Sequence, residues 1–97
     1  LGSDVVLERA TALLSDDSYW NRGQAVAVLG VLGSADALAL VEPCLQDEHE
    51  WVRREAVVAL LRIGSPAARP ALEGMLADED FEVRLYAAEA LKRLPVG

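Results

Sequence analysis

Apolar side chains recur along this chain at helical spacing, in short stripes separated by acidic or Gly-Ser breaks. Val52, Ala56, Leu60 and Ile63 follow the i, i+4, i+8, i+11 spacing of one helix face, and Val83, Ala87, Leu91 and Leu94 repeat it. The matching stripe nearer the N-terminus has Asn21 in place of its first apolar residue. Ahead of each lies a second stripe: Val6, Ala10, Leu13 and Leu14; Ala37, Val41, Cys44 and Leu45; Ala68, Leu72, Met75 and Leu76. The pattern predicts three helical pairs. First helices run over about 4–14, 35–45 and 66–76, second helices over about 19–32, 50–63 and 81–94. Acidic turns (SDDS, QDEH, ADED) join the two helices of a pair. At the pair boundaries Gly ends one helix in a left-handed turn and the Ser after it caps the next. Pro66 takes a first helical position, where a missing N–H costs nothing.

The pairs are copies of one another. A shift of 31 residues brings Gly2, Gly33 and Gly64 together, as it does Ser3, Ser34 and Ser65. Leu14, Leu45 and Leu76 coincide, then Asp16, Asp47 and Asp78, then Arg22, Arg53 and Arg84. Ala25, Ala56 and Ala87 follow, and Leu29, Leu60 and Leu91 complete the series. The units are 2–32, 33–63 and 64–94, with no insertion, within a single domain covering 1–97. A helical pair this short cannot bury its own apolar face, so each unit leans on its neighbours. The predicted fold class is therefore all-α, a solenoid of three helix-turn-helix repeats.

Charge narrows the function. The formal net charge is -7, with 9 basic against 16 acidic residues. Nucleic-acid binders draw most of their non-specific affinity from Lys and Arg on phosphates, so nucleic acid is not an expected partner, nor is an anionic membrane surface. Cys44 is the only cysteine and cannot form an internal disulfide, which fits a reducing, cytoplasmic setting. Cys44 and His49 would supply at most two zinc ligands where three or four are needed. The acidic turns lack the alternating ligands and glycine of a calcium loop, and no glycine-rich phosphate loop is present. No cofactor and no metal are implied.

The pattern of an Asp-bearing turn, then Val-Arg-x-x-Ala-x-x-x-Leu, then Gly resembles the HEAT-repeat family. More narrowly, it is similar to the short HEAT-like repeats named after phycobilisome lyases. The resemblance implies helical hairpins stacked in a right-handed superhelix, with the second helices on the concave side. It implies that Asp16, Asp47 and Asp78 with Arg22, Arg53 and Arg84 form a structural ladder rather than three catalytic sites. It also implies a non-catalytic scaffold that binds a protein or peptide; the alternative is a bilin-lyase-like chromophore-attachment protein or subunit. Deoxyhypusine hydroxylase, an enzyme of HEAT repeats, carries iron-binding His-Glu pairs inside its second helices. Here those positions hold Arg54-Glu55, and His49 is the only histidine.

The expected partner-binding residues are Tyr19, Trp20, Trp51, Arg54, Leu61 and Phe81. All five aromatics, these four and Tyr86, lie in second-helix segments, and Trp20 and Trp51 hold equivalent positions. Aromatic side chains give large contact area at low entropic cost. Val57, Val58 and Leu61 widen the apolar face of the second unit, and the acidic turns would steer a basic patch on a partner. Leu1-Gly2-Ser3 aligns with Leu32-Gly33-Ser34, as though a preceding unit were missing, whereas Lys92, Arg93 and Pro95 give the last helix a polar stop. The expectation is a piece of a longer array, or one that self-associates through its uncapped first unit.

Overall fold

The computed structural model describes residues 2–96, and every regular element among them is helical. The helices are α1 (Ser3–Leu13), α2 (Tyr19–Leu32), α3 (Ala35–Val41), α4 (Glu50–Ile63), α5 (Arg69–Gly74) and α6 (Phe81–Arg93). Expectations for Leu1 and for the side chain of Ser3 lie outside the described residues.

Local chemistry sets the helix ends. Gly33 and Gly64 adopt φ of 66° and 74°, and their N–H groups donate to Leu29 O and Leu60 O, closing α2 and α4. That conformation costs any residue with a Cβ, which is why glycine recurs there. Ser34 and Ser65 then accept from Ala37 N and Ala67 N, starting the next unit. Gly2 departs from the expected left-handed turn: at φ -75° it is the N-cap of α1. The last unit closes differently again. Leu94 is extended, and Arg69 Nη1 reaches across from α5 to donate to Leu91 O (3.0 Å) and Leu94 O (3.4 Å). A guanidinium thereby satisfies carbonyls that the glycines leave to the backbone elsewhere.

Two first helices are not continuous over 35–45 and 66–76 as expected. The helix α3 stops at Val41 and tightens into a 3-10 segment, Glu42–Gln46. Residues Pro66–Ala68 and Met75–Ala77 form 3-10 turns on either side of α5. Proline explains the break in α3 and the Pro66–Ala68 turn: Pro43 and Pro70 have no N–H to give the α-helical bond and crowd the preceding turn, whereas Met75–Ala77 follows Gly74 and holds no proline.

The two layers pack unequally. The second helices α2, α4 and α6 lie directly on one another, whereas contacts between successive first helices are sparse. This spacing puts the second helices on the inner side of the row. Cα atoms span 35 × 30 × 14 Å, the thickness of two helical layers. Between the layers Val26, Leu29, Val41, Leu45, Val52, Leu60, Leu72 and Val83 are fully buried. Burying each such side chain contributes about 1.5–3 kcal/mol of transfer free energy. Leu13 and Leu76, expected in this core, are exposed. Leu45, equivalent to Leu76, is buried because the middle unit is covered on both sides.

Candidate functional site

The charged ladder links one unit to the next. Arg22 Nε and Nη2 donate to Asp47 Oδ2 (2.9 Å) and Oδ1 (3.1 Å), while Nη1 donates to the carbonyls of Asp16 and Asp17. One unit on, Arg53 Nη1 donates to Asp47 O and Glu48 O, and Nη2 donates to Asp78 Oδ2 at 3.2 Å. Its Nε lies 3.0 Å from Asp78 Oδ1 but is poorly aligned for a hydrogen bond. Each arginine thus braces its own turn with one nitrogen and crosses to the next turn with the others. The pairs are largely shielded from water, so losing one partner would strand a charge.

Each aspartate is committed in turn. Oxygens of Asp16, Asp47 and Asp78 accept the N–H of Ser18, His49 and Asp80, two residues on. Burial alone would raise the pKa of Asp47, but Arg22 and the His49 N–H outweigh it and hold the carboxyl below its ordinary value. Asp16 is lowered as well, by the Ser18 N–H first and the Asn21 amide second.

Above the ladder sits an aromatic cluster. Trp20 and Trp51 stack with centroids 5.0 Å apart and planes within 4°, and Tyr19 stacks on His49 at 3.7 Å and 2°. Tyr19 also meets Trp51 edge-on at 6.2 Å. His49 caps α4, its Nδ1 accepting the Trp51 N–H at 3.1 Å. The histidine is therefore an anchor for the helix and a platform for Tyr19. Gly23 makes room for the Trp51 indole: a Cβ there would lie 2.0 Å from the ring. Gly30 admits Ala59 likewise, since a Cβ would stand 2.8 Å from the Ala59 Cα.

Between α4 and α6 the surface opens into a groove of about 230 Å³, lined by Val57, Val58, Leu61, Tyr86, Glu89, Ala90 and Arg93. Arg54 Nη1 donates to Glu82 Oε1 at 2.8 Å across the same two helices. Burial raises the pKa of Glu55, with Arg62 and Arg54 opposing. Along the turn edge Glu48 and Glu79 stand almost fully in solvent, each 3.8 Å from a ladder arginine. Burial, then the Asp47 charge, pushes the Cys44 thiol up to about 11, so it is a poor nucleophile at neutral pH. Among the described residues no three of His, Cys, Asp and Glu gather as metal ligands.

Contacts among the six residues expected to bind a partner are uneven. Tyr19, Trp20 and Trp51 come together at the first turn edge, Arg54 is tied to Glu82, and Leu61 lines the groove. Phe81 stands apart at the start of α6, 67% exposed, with the Arg84 guanidinium 5.8 Å from its ring centroid. Sequence reasoning missed Gly23, Gly30 and the part played by His49. A glycine inside a helical stripe was the available signal for the first two.

Geometry and charge describe an all-α stack built from one unit, with an internal ionic ladder and an apolar groove on its inner side. The HEAT-repeat family matches this chain over residues 7–92, and the chain belongs to that family. Members generally serve as protein-interaction scaffolds and are typically non-catalytic. No curated protein matches the chain closely enough to lend it a more particular activity. No helix among the described residues is long and apolar enough to cross a membrane.

Proposed function

We propose that this chain is a non-catalytic interaction module that receives a protein or peptide on its second-helix face. The α4–α6 groove carries this reading. It combines Val58, Leu61 and Tyr86, over a floor of buried Val57, with one cation and one anion, Arg93 and Glu89, at its wall. Apolar clefts with a few polar groups at the margin take side chains of a partner, and aromatic walls suit them. The solvated Glu48 and Glu79 on the turn edge favour a partner with basic residues flanking its apolar anchor. Tyr19 and Trp20 extend the apolar surface at the first turn.

Selection of peptides from a random display library on the purified chain tests the reading. Peptides with an apolar anchor and flanking Lys or Arg should emerge, and Leu61→Glu should weaken them at least tenfold while leaving the melting curve near wild type. Peptides that bind Leu61→Glu equally well would move the site elsewhere. A library yielding none would end the proposal.

A further inference from the structure

One carboxylate beside the α4–α6 groove has no partner of its own. Trp51, Glu55, Val58 and Arg62 follow one another at i, i+4, i+7 and i+11, a single stripe along α4. The equivalent stripe of α6 is Glu82, Tyr86, Glu89 and Arg93, and its last three residues line the groove together with Val58. Glu55 stands one helical turn before Val58, towards the acidic turn, and its counterpart on α6 is Tyr86.

The charges around Glu55 leave it unneutralised. Arg54, next to it on α4, donates instead to Glu82 Oε1 at 2.8 Å. Arg62 lies two turns further along α4, where it borders a separate depression with Ala27 and Val31. The counterpart on α2 is the neutral Gln24, while α6 offers Tyr86, Glu82 and Glu89. Glu89 already has Lys92 Nζ at 3.4 Å and Arg93 Nη2 at 4.0 Å. Glu55 is therefore half-buried without an ion pair or a hydrogen bond among the described residues. Burial raises its pKa, with Arg62 and then Arg54 opposing. A carboxylate drawn out of water with no partner gains from a cation brought to it. Groove and carboxylate also coincide: at the sealed junction Gly30 closes on Ala59, and Gln24 carries no charge.

We infer, resting on the groove as the binding site, that the partner is a peptide segment with one Lys or Arg on the turn side of its apolar anchor. The anchor enters the groove, and the cation pairs with Glu55, its aliphatic stem lying along Val58 and the Tyr86 ring. Arg62 and Arg93 stand towards the other end and repel a cation there, which fixes the side on which it lies. The pairing takes the ionised form of Glu55. Affinity therefore rises as the pH climbs through the raised Glu55 value and levels off above it.

Parallel selections from one random peptide display library on wild type, Glu55→Lys and Glu55→Gln test this. Wild type should return apolar-anchored peptides with Lys or Arg at a fixed offset from the anchor. Glu55→Lys should return Asp or Glu at that offset, and Glu55→Gln no charge preference there. A synthetic wild-type-selected peptide should bind roughly tenfold more weakly once citrulline replaces its Arg, and under about twofold more weakly on Glu55→Gln. Its affinity should rise from about pH 4 to 8 on wild type and stay flat on Glu55→Gln. Circular dichroism checks folding, and the near-isosteric Gln variant carries the test if the Lys variant unfolds. Peptides that need Leu61 yet carry the same charges on wild type and the folded variants overturn this inference alone, leaving any cation preference to Glu48 and Glu79. A library that yields no peptide on any of the three proteins overturns the groove as well.

Discussion

Where α2 meets α4, Gly23 and Gly30 let the helices close until an indole and an alanine fill the space a Cβ would need. Where α4 meets α6, the equivalent positions hold Arg54 and Leu61. The first reaches for Glu82, and the second lines an open groove. The ionic rung is conserved in kind across both junctions, yet it is bidentate at the first and aligned through only one nitrogen at the second. The difference teaches that the ladder sets register while the residues at these two positions set distance. A sealed junction gains dispersion contacts and aromatic stacking at the expense of glycine in a helix, about 1 kcal/mol each. An open junction forgoes those contacts and leaves a groove between the two helices.

The largest expected effect breaks the rung at each junction in turn. Asp47→Ala strands the shielded Arg22 and should cost about 3 kcal/mol in urea unfolding; Asp78→Ala should cost less, because the second rung has one aligned bond fewer. An equal loss at both would show that alignment does not matter here. Next comes distance. Gly30→Ala should destabilise by about 1–3 kcal/mol through overpacking against the Ala59 backbone, although alanine is the better helix former. Leu61→Ala, at the matching position, should lose under about 1 kcal/mol because Leu61 borders open space. If Gly30→Ala raises the melting temperature, the first junction is not sealed by close approach.

Aromatic stacking comes third. Trp20→Ala should cost about 1 kcal/mol by removing the ring stacked on Trp51, whereas Phe81→Ala should stay within about 0.5 kcal/mol. Calorimetry on the pair decides whether the first cluster stabilises the fold. The smallest effect is the pH response. Asp47 holds its proton more weakly folded than unfolded, so its contribution is complete above its ordinary value of 3.8 and vanishes as the pH falls through the lower folded value. Glu55 has the opposite sign: its folded value is raised, so its protonated form is favoured and stability declines as the pH rises through that value. Glu55→Gln should therefore flatten the pH profile on the neutral side, while Asp47→Asn should flatten it on the acid side. Denaturation midpoints across pH 2–8 would read both slopes.

Much of this was legible in the residue string, and the misses have physical reasons. The left-handed turns at Gly33 and Gly64 and the caps at Ser34 and Ser65 depend on a few neighbouring residues, so local chemistry is enough to place them. The 3-10 segments were missed because the apolar stripe runs through them; Pro43 and Pro70 were the local signal for two of the three. Phe81 and Trp20 look alike in sequence; one stands alone and the other is stacked, and nothing local separates them.

Repetition at one spacing, with glycine and serine punctuation, determined by itself that the chain is a row of helical pairs. Backbone propensity and apolar periodicity act within a turn or two of the chain. Only the tertiary structure decided that Arg22 grips Asp47, that His49 carries Tyr19, and that one junction is sealed while the next is open. Those outcomes depend on how closely two helices some thirty residues apart approach. The volume of the side chains between them sets that distance, and no local pattern records it.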